Sequence, residues 1–470
     1  MHASSLRGKK LINALFDHQR DAGIAWIPFA GIHAGKLIDA SARDVLTDGE
    51  TLFRALTEVH RIYRPDGQPV MFDLQLEAEA LGCDLLWADD APPSVASHPF
   101  EDFTTETQFP DSRANIPFGP TAARFPLVLD VMRRMKSAVG AETALYGLFC
   151  GPFTLASHLR GTNLFMDMMD DPTIVHRLLD YTFRIAEEVA GWYIDAGMDV
   201  VASVDPLVSQ ISPDHFEEFL SQPYLKLFEA IRMRRVHSSF FVCGNATRNI
   251  EVMCRTRPDS ISIDENIDLA EAKQITDRYD IVMGGNIPLT TVMLFGTQQD
   301  NMKCVVDLID AAGEHGNLII APGCDMPYAV PIENTIAVEQ AVHETNQVRE
   351  MIRNYEHVDE SIEVELPDYA RLPRPLVEVF TLDSATCAAC SYMLASAMDA
   401  KKKYDTGIDV VEYKYNSREN IARMKRIGVA NLPSIYINGK LIFSSIIPNR
   451  EELNREINRA MIETGHPRIR

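Results

Sequence analysis

The chain has 470 residues, 46% of them apolar and 24% charged, enough to bury more than one core, so two domains are expected. Its 45 Lys and Arg against 67 Asp and Glu leave a net charge of −22, which argues against nucleic acid or an anionic membrane as a partner. The first residues lack the apolar core of an export signal and no later run is long enough to span a bilayer, so the eight cysteines are expected to be reduced thiols in the cytoplasm.

From the N-terminus onward, short β-rich runs alternate with long helical patterns, the signature of βα units around a parallel sheet. Eight strands are predicted, over residues 25–30, 69–74, 144–150, 199–206, 238–244, 259–265, 281–287 and 318–325. Helix starts are marked locally, as at Ser212-Pro213-Asp214, where Ser caps and Pro takes the first turn. Residues 86–116, rich in Pro, Asp and Ser, form a long insertion between the second and third strands. Eight such units predict a (β/α)8 TIM-type barrel, a fold whose reactive groups stand at the C-terminal ends of its strands.

Those ends carry a dense polar ring. His33 and Lys36 follow the first strand, Asp73 and Glu77 the second, and Cys150 and then His158 the third, while Asp205, Cys243, Asp264 with Glu265, Asn286 and Cys324 complete it. His33, Lys36, Asp73, Glu77, His158, Asp205 and Asn286 are the candidate substrate-binding residues. Taken singly, a carboxylate beside a loop is more often a helix cap than a catalyst, and a lone cysteine more often a small buried hydrophobe. Cys243 and Cys324 weigh more as a pair, because two strands far apart in sequence each deliver a thiol to one rim, where thiols serve nucleophilic or metal chemistry.

After the barrel the texture changes. Residues 360–375 hold three prolines and no helical period, which reads as a linker, so the predicted layout is a barrel over 1–358, a linker over 359–374 and a second domain over 375–470. The strand 376–382 runs into Cys387-Ala388-Ala389-Cys390 and a helix. A Cys-x-x-Cys at a strand-to-helix turn is a thioredoxin-like redox arrangement, in which the helix N-terminus stabilises the first thiolate. Strand 408–415, helix 417–427, Leu432-Pro433-Ser434 and an Asn438-Gly439 hairpin turn follow. This segment resembles the glutaredoxin and thioredoxin superfamily. The resemblance implies a small thioredoxin-like α/β domain with Cys387, Cys390 and a cis Pro433 at its site.

The barrel also carries a resemblance, in Gly31-Ile32-His33-Ala34-Gly35-Lys36, in residues 73–82, and in Gly151-Pro152-Phe153-Thr154. Cys243-Gly244-Asn245, Gly285-Asn286-Ile287-Pro288 and Gly323-Cys324 continue it. These resemble the uroporphyrinogen decarboxylase superfamily and, within it, the cobamide-dependent methyltransferase branch. The decarboxylase pattern needs an Arg-Gln-Ala-Gly-Arg loop after the first strand, and here Ile32 and Lys36 replace both arginines. The methyltransferase branch implies a corrinoid carried by a partner protein and a zinc held by a His-x-Cys motif on the fifth strand and a Cys on the eighth. The zinc activates a substrate thiol for attack on a methyl–cobalt bond.

Both cysteines of that zinc site are present as Cys243 and Cys324, but Phe241 stands where the resemblance places histidine. A third ligand would have to come from Asp205, Glu77, His33 or His158. His237 is about 13 Å back along its strand and cannot substitute. Without a third ligand the cysteines are a redox pair or a soft-metal site. The expected function is a corrinoid-dependent methyltransferase, acting on a thiol or related acceptor, fused to a thiol–disulfide module with its own redox partner. The alternatives are a thiol–disulfide oxidoreductase with a non-catalytic binding barrel, and a decarboxylase-like protein without decarboxylase activity.

Overall fold

Eight short runs become strands, buried on both faces apart from His237 at the start of β5, the condition under which a parallel sheet forms. They are β1 (Ala25–Trp26), β2 (Gly67–Pro69), β3 (Ala144–Cys150), β4 (Val200–Val204), β5 (His237–Val242), β6 (Ser260–Ile263), β7 (Val282–Ile287) and β8 (Leu318–Pro322). The computed structural model describes residues 6–19, 21–104, 118–313, 316–356, 362–382, 384, 388–448 and 450–464. The chain divides into two units, Met1–Glu356 and His357–Arg470.

In the first unit the strands lie in one sheet in the order β1-β8-β7-β6-β5-β4-β3-β2, all neighbours parallel. β1 and β2, at its two ends, meet through Asp66, whose N–H donates to Trp26 O at 2.9 Å. The Asp66 carboxylate accepts from Trp26 N–H at 2.8 Å and from Gly8 N–H at 2.5 Å, which closes the (β/α)8 barrel. β1 is short because Pro28 has no N–H to give the ladder; β2 starts earlier and ends sooner than its apolar run suggests.

Asp66 is one of a series. The residue just before each even-numbered strand ties the start of the strand before it. Asp199 accepts from Leu145 N–H at 3.1 Å, Asp259 from Ser238 N–H at 2.7 Å, and Asn317 donates to Ile281 O at 2.9 Å. Asp199 also takes Lys9 and Lys136, each at 2.7 Å, and Lys9 belongs to the helix Lys9–Phe16. That helix turns Leu11, Ile12, Leu15 and Phe16 into the barrel interior. Above it, alternate residues Ala144, Tyr146 and Leu148 of β3 and Val200, Ala202 and Val204 of β4 face the same core, as the period of two requires. His237, at the start of β5, stacks on Phe16 at 4.4 Å, at the opposite end from the rim.

The expected helix start at Ser212 is present: Ser212 Oγ accepts from His215 N–H at 3.2 Å at the head of Pro213–Phe219. The insertion after β2 forms a two-stranded antiparallel ribbon, Leu85–Leu86 against Ser94–Val95, and part of it lies outside the described residues.

The second unit is a four-stranded sheet of β9 (Leu376–Thr381), β10 (Asp409–Lys414), β11 (Ser434–Ile437) and β12 (Lys440–Ser444) in the order β10-β9-β11-β12. β9 and β10 are parallel; β9–β11 and β11–β12 are antiparallel. Helices Ala388–Tyr404, Arg418–Ile427 and Arg450–Glu463 accompany it. The described part of the Pro-rich stretch read as a linker runs along this unit. Tyr369 Oη donates to Glu378 at 3.1 Å, and Arg423 and Arg426 donate to the carbonyls of Glu365 and Val364. Prolines remove helical period from a sequence without removing its carbonyl acceptors, and these two arginines use them.

Burial raises the Asp66 carboxyl from 3.8 to about 6, against the hydrogen bonds from Trp26 and Gly8 that lower it. A raised acid contributes stability that is full below its unfolded value and is lost as pH rises through the folded one. Urea unfolding should therefore show Asp66→Asn, which keeps one acceptor, about 1–3 kcal/mol less stable than wild type. The wild-type stability should fall with a steeper pH slope than the variant's between 3.8 and about 6.

Candidate active site at the barrel mouth

β5 ends at Val242 and β8 at Pro322, and the chain carries each strand's direction one or two residues further before turning. There Cys243 Sγ and Cys324 Sγ approach to 2.8 Å; both are part-exposed and neither is in a disulfide. Gly244 has φ +81, the left-handed conformation that turns the chain away directly after the first thiol. Gly323 packs so tightly on the segment after β6 that an added Cβ would stand 2.8 Å from Glu265 N. The floor beneath the sulfurs is aromatic. Phe241 is 1% exposed, with ring centroids 4.8 Å from Phe29 and 5.9 Å from Phe72, and Leu74 packs on the same core.

The donor set does not fit a zinc ion. A tetrahedral zinc with bonds of about 2.3 Å holds two thiolates roughly 3.8 Å apart and needs further ligands. These sulfurs are closer than that, and Phe241, two residues before Cys243, offers no donor. Asp205 is fully engaged as the cap of helix Pro152–Arg160. It accepts from Phe153 N–H at 3.0 Å, Thr154 N–H at 2.9 Å, Thr154 Oγ1 at 2.6 Å and Tyr224 Oη at 2.5 Å. His33 is wedged between Tyr63 Oη at 2.6 Å and Tyr328 O at 3.1 Å, and burial pushes it down to about 4. His158, 4.0 Å from Cys150 Sγ, is pushed down to about 3 by burial. Among the described residues no three His, Cys, Asp or Glu are grouped to hold a metal.

Several other ring members hold the rim together. Lys36 Nζ donates to Ala329 O at 2.7 Å and Val330 O at 2.9 Å, tying the loop after β1 to the loop after β8. Asn286 Nδ2 donates to Asp264 O at 2.9 Å and Ile267 O at 2.7 Å. The Asp264 carboxylate accepts from Asn266, and Glu265 accepts from Leu289 N–H; burial pushes Glu265 up to about 8. Asp73 accepts from Gln75 N–H at 2.8 Å and from Arg124 Nη1 at 2.6 Å.

Arg124 was not visible as a site residue in the sequence. It precedes the helix Phe125–Ala138, where a cation opposes the helix dipole, and it is held by Asp73, by Glu79 at 2.7 Å and by the face of Trp87 at 4.9 Å. Asp325, beside Cys324, was also missed. It accepts from Gly31 N–H at 2.8 Å, and burial raises it to about 8. Glu77 accepts from Cys150 N–H at 3.3 Å and is likewise raised to about 8 by burial. Glu77 Oε2 and Asp325 Oδ2 are buried with no hydrogen-bond partner among the described residues. Near neutrality both are therefore largely protonated acids, able to donate a hydrogen bond or a proton. The ring thus divides into groups that build the rim, Asp73 among them, and a smaller set, Cys243, Cys324, Glu77 and Asp325, with chemistry left to offer.

In the second unit Cys390 is buried in the first turn of helix Ala388–Tyr404, and its sulfur accepts from Leu382 N–H at 3.3 Å. The Leu432–Pro433 peptide is cis. Cys387 lies outside the described residues.

Comparison with known proteins bears on the first unit. The chain is 26% identical over 290 residues to the methylcobamide:CoM methyltransferase MtbA of Methanosarcina acetivorans, covering 61% of this chain and 82% of that one. It is 29% identical over 274 residues to the methylcobamide:CoM methyltransferase MtaA of Methanosarcina barkeri, covering 57% and 76%. It is 24% identical over 267 residues to a uroporphyrinogen decarboxylase of Nostoc punctiforme, covering 55% and 72%. Among solved structures, a methyltransferase from Methanosarcina mazei shares the fold with a TM-score of 0.64 at 20% identity, covering 72% of this chain and 98% of that one. No helix among the described residues is long and apolar enough to cross a membrane. The sequence profile of uroporphyrinogen decarboxylase (URO-D) matches residues 20–345, nearly the whole of the first unit, and the chain belongs to that family.

Proposed function

We propose that this protein is a corrinoid-dependent methyltransferase that moves a methyl group between a methylated corrinoid, carried by a partner protein, and a thiol or related acceptor. The observation that carries the reading is the meeting of Cys243 and Cys324 at the mouth of a URO-D family barrel that has Ile32 and Lys36 in place of two arginines. Ile32 is buried and apolar, and Lys36 is spent on two backbone carbonyls, so neither offers the cationic grip that a polycarboxylate substrate requires. Two of the relatives are named as methylcobamide:CoM methyltransferases, which supports the same choice.

In this reading a bound methylcorrinoid would supply the methyl group and the acceptor thiol would take it, while the chain supplies an aromatic floor and two thiols beside the place where they meet. Glu77 and Asp325 are protonated acids within the same rim, and Arg124 holds Asp73 in place beside them. His33, Lys36, His158, Asp205 and Asn286 act on substrate only indirectly, by fixing the loops. No step passes through zinc, for which the donor set is incomplete.

The second unit we read as a thioredoxin-like module with Cys387 as attacking thiol, Cys390 as resolving thiol and Pro433 beside them. Its sheet order and the burial of Cys390 at a helix start support this. The short sulfur contact in the barrel favours one alternative, in which thiol–disulfide exchange is the main activity and the barrel only binds.

With free methylcobalamin and 2-mercaptoethanesulfonate, anaerobic protein should demethylate the corrinoid above the uncatalysed rate. Cys243→Ala and Cys324→Ala should each lower that rate at least tenfold by absorbance spectroscopy, and an unchanged rate in both would reject the site. Uroporphyrinogen should release no CO₂, and coproporphyrinogen formation would overturn the choice of branch. Phe241→His should raise zinc content from near zero to about one equivalent by metal analysis, because it adds a donor two residues before Cys243 on the same strand face. Cys390→Ser should trap a mixed disulfide through Cys387 with an oxidised protein partner, detectable by non-reducing peptide mapping.

A further inference from the structure

A pair of sulfurs 2.8 Å apart lies between two chemical states. To hold zinc it must open by roughly 1 Å, as the tetrahedral geometry demands. To become a disulfide, with a bond of about 2.05 Å, it must close by about 0.7 Å, within the reach of side-chain rotation. The surroundings favour closing. Phe241, Phe29 and Phe72 supply no ligand, Asp205 and His33 are held in other hydrogen bonds, and both thiols remain part-exposed to a reagent. The two strands that carry the thiols are locked in one barrel with β6 and β7 between them, so the second sulfur is presented to the first at high effective concentration.

The geometry points to Cys243 and Cys324 as a redox-active dithiol site at the barrel mouth, whose substrates are disulfides of small thiols. One cysteine, as thiolate, attacks a sulfur of the small disulfide. That S–S bond breaks, the first small thiolate leaves, and the protein sulfur holds the other half as a mixed disulfide. The second cysteine thiolate then attacks the protein sulfur of the mixed disulfide and expels the second small thiolate. Two protein thiols have been oxidised to one disulfide, one small disulfide has been reduced to two thiols, and the two protons lost from the cysteines end on the released thiols. The inference does not need methyl transfer to be correct, since it concerns only the two sulfurs and a disulfide.

The test uses the full chain, reduced and purified anaerobically, carrying Cys387→Ser and Cys390→Ser so that the second unit contributes no exchange. It is equilibrated with glutathione buffers of rising oxidised fraction, quenched with acid and mapped by mass spectrometry. The expected product is a Cys243–Cys324 linked peptide, lighter by two hydrogen atoms than the two separate peptides. It should form as a single transition and revert with dithiothreitol. In the further variant Cys243→Ser, Cys324 should accumulate as a mixed disulfide with glutathione, a species the parent passes through without accumulating. Circular dichroism of the parent before and after oxidation should be unchanged, and the parent measurement stands whether or not the variant folds. Separate glutathione adducts on both cysteines, or no linked peptide while iodoacetamide still alkylates both thiols, would overturn the site. So would one equivalent of zinc that stays on the two thiols through the titration. Loss of corrinoid turnover with normal disulfide formation would count against the methyltransferase reading alone.

Discussion

A carboxylate that satisfies a backbone N–H on the neighbouring strand holds this barrel shut. Asp66 links β1 to β2 through both its backbone and its side chain, and Asp199 and Asp259 repeat the side-chain contact on alternate strands. Carboxylate acceptors make the stronger hydrogen bonds, and the N–H groups they take here belong to the second residues of β1, β3 and β5. Fixing the strand starts fixes the register, and register decides which residues emerge at the far end. Cys243 and Cys324 meet because β5 and β8 are set correctly some five residues below them.

The two ends of the barrel use acids differently. At the base, Asp199 is pinned by two lysines. At the mouth, Glu77, Glu265 and Asp325 have so little water or positive charge near them that burial prevails and the protonated form persists toward pH 8. Asp73 and Glu79 keep a charge partner there in Arg124. The mouth is consequently less negative than its composition implies. That lowers the cost of forming a thiolate at Cys243 or Cys324, which nearby carboxylates would otherwise oppose.

Strand placement and the cysteine pair were legible in the sequence because both depend on local pattern: an apolar run, a Gly break and a thiol between them. β3, β7 and the start of β8 fall where the runs place them, while β1 and β2 shift because Pro28 and the turn at Asp66 act on hydrogen bonding and leave hydrophobicity unchanged. The roles of the polar ring were not legible. Nothing in the residue type tells a histidine that will sit between Tyr63 and Tyr328 from one that faces substrate, and Asp205 as a helix cap depends on a helix fifty residues earlier in the chain. Arg124 was hidden for the same reason: its partners Asp73 and Glu79 are about fifty residues away. Asp325 could have been found, since it follows Cys324 directly at a predicted strand end. The absence of a donor at position 241 was legible, and the Phe29, Phe72 and Phe241 floor gives it a physical meaning.

The helix Lys9–Phe16 plugs the base of the barrel with Leu11, Ile12, Leu15 and Phe16, and the aromatic floor seals the level above. The two layers close the barrel from below, so whatever reaches the sulfurs arrives and departs by one door. Anything that covers that opening shuts Cys243 and Cys324 off from every other molecule until it leaves.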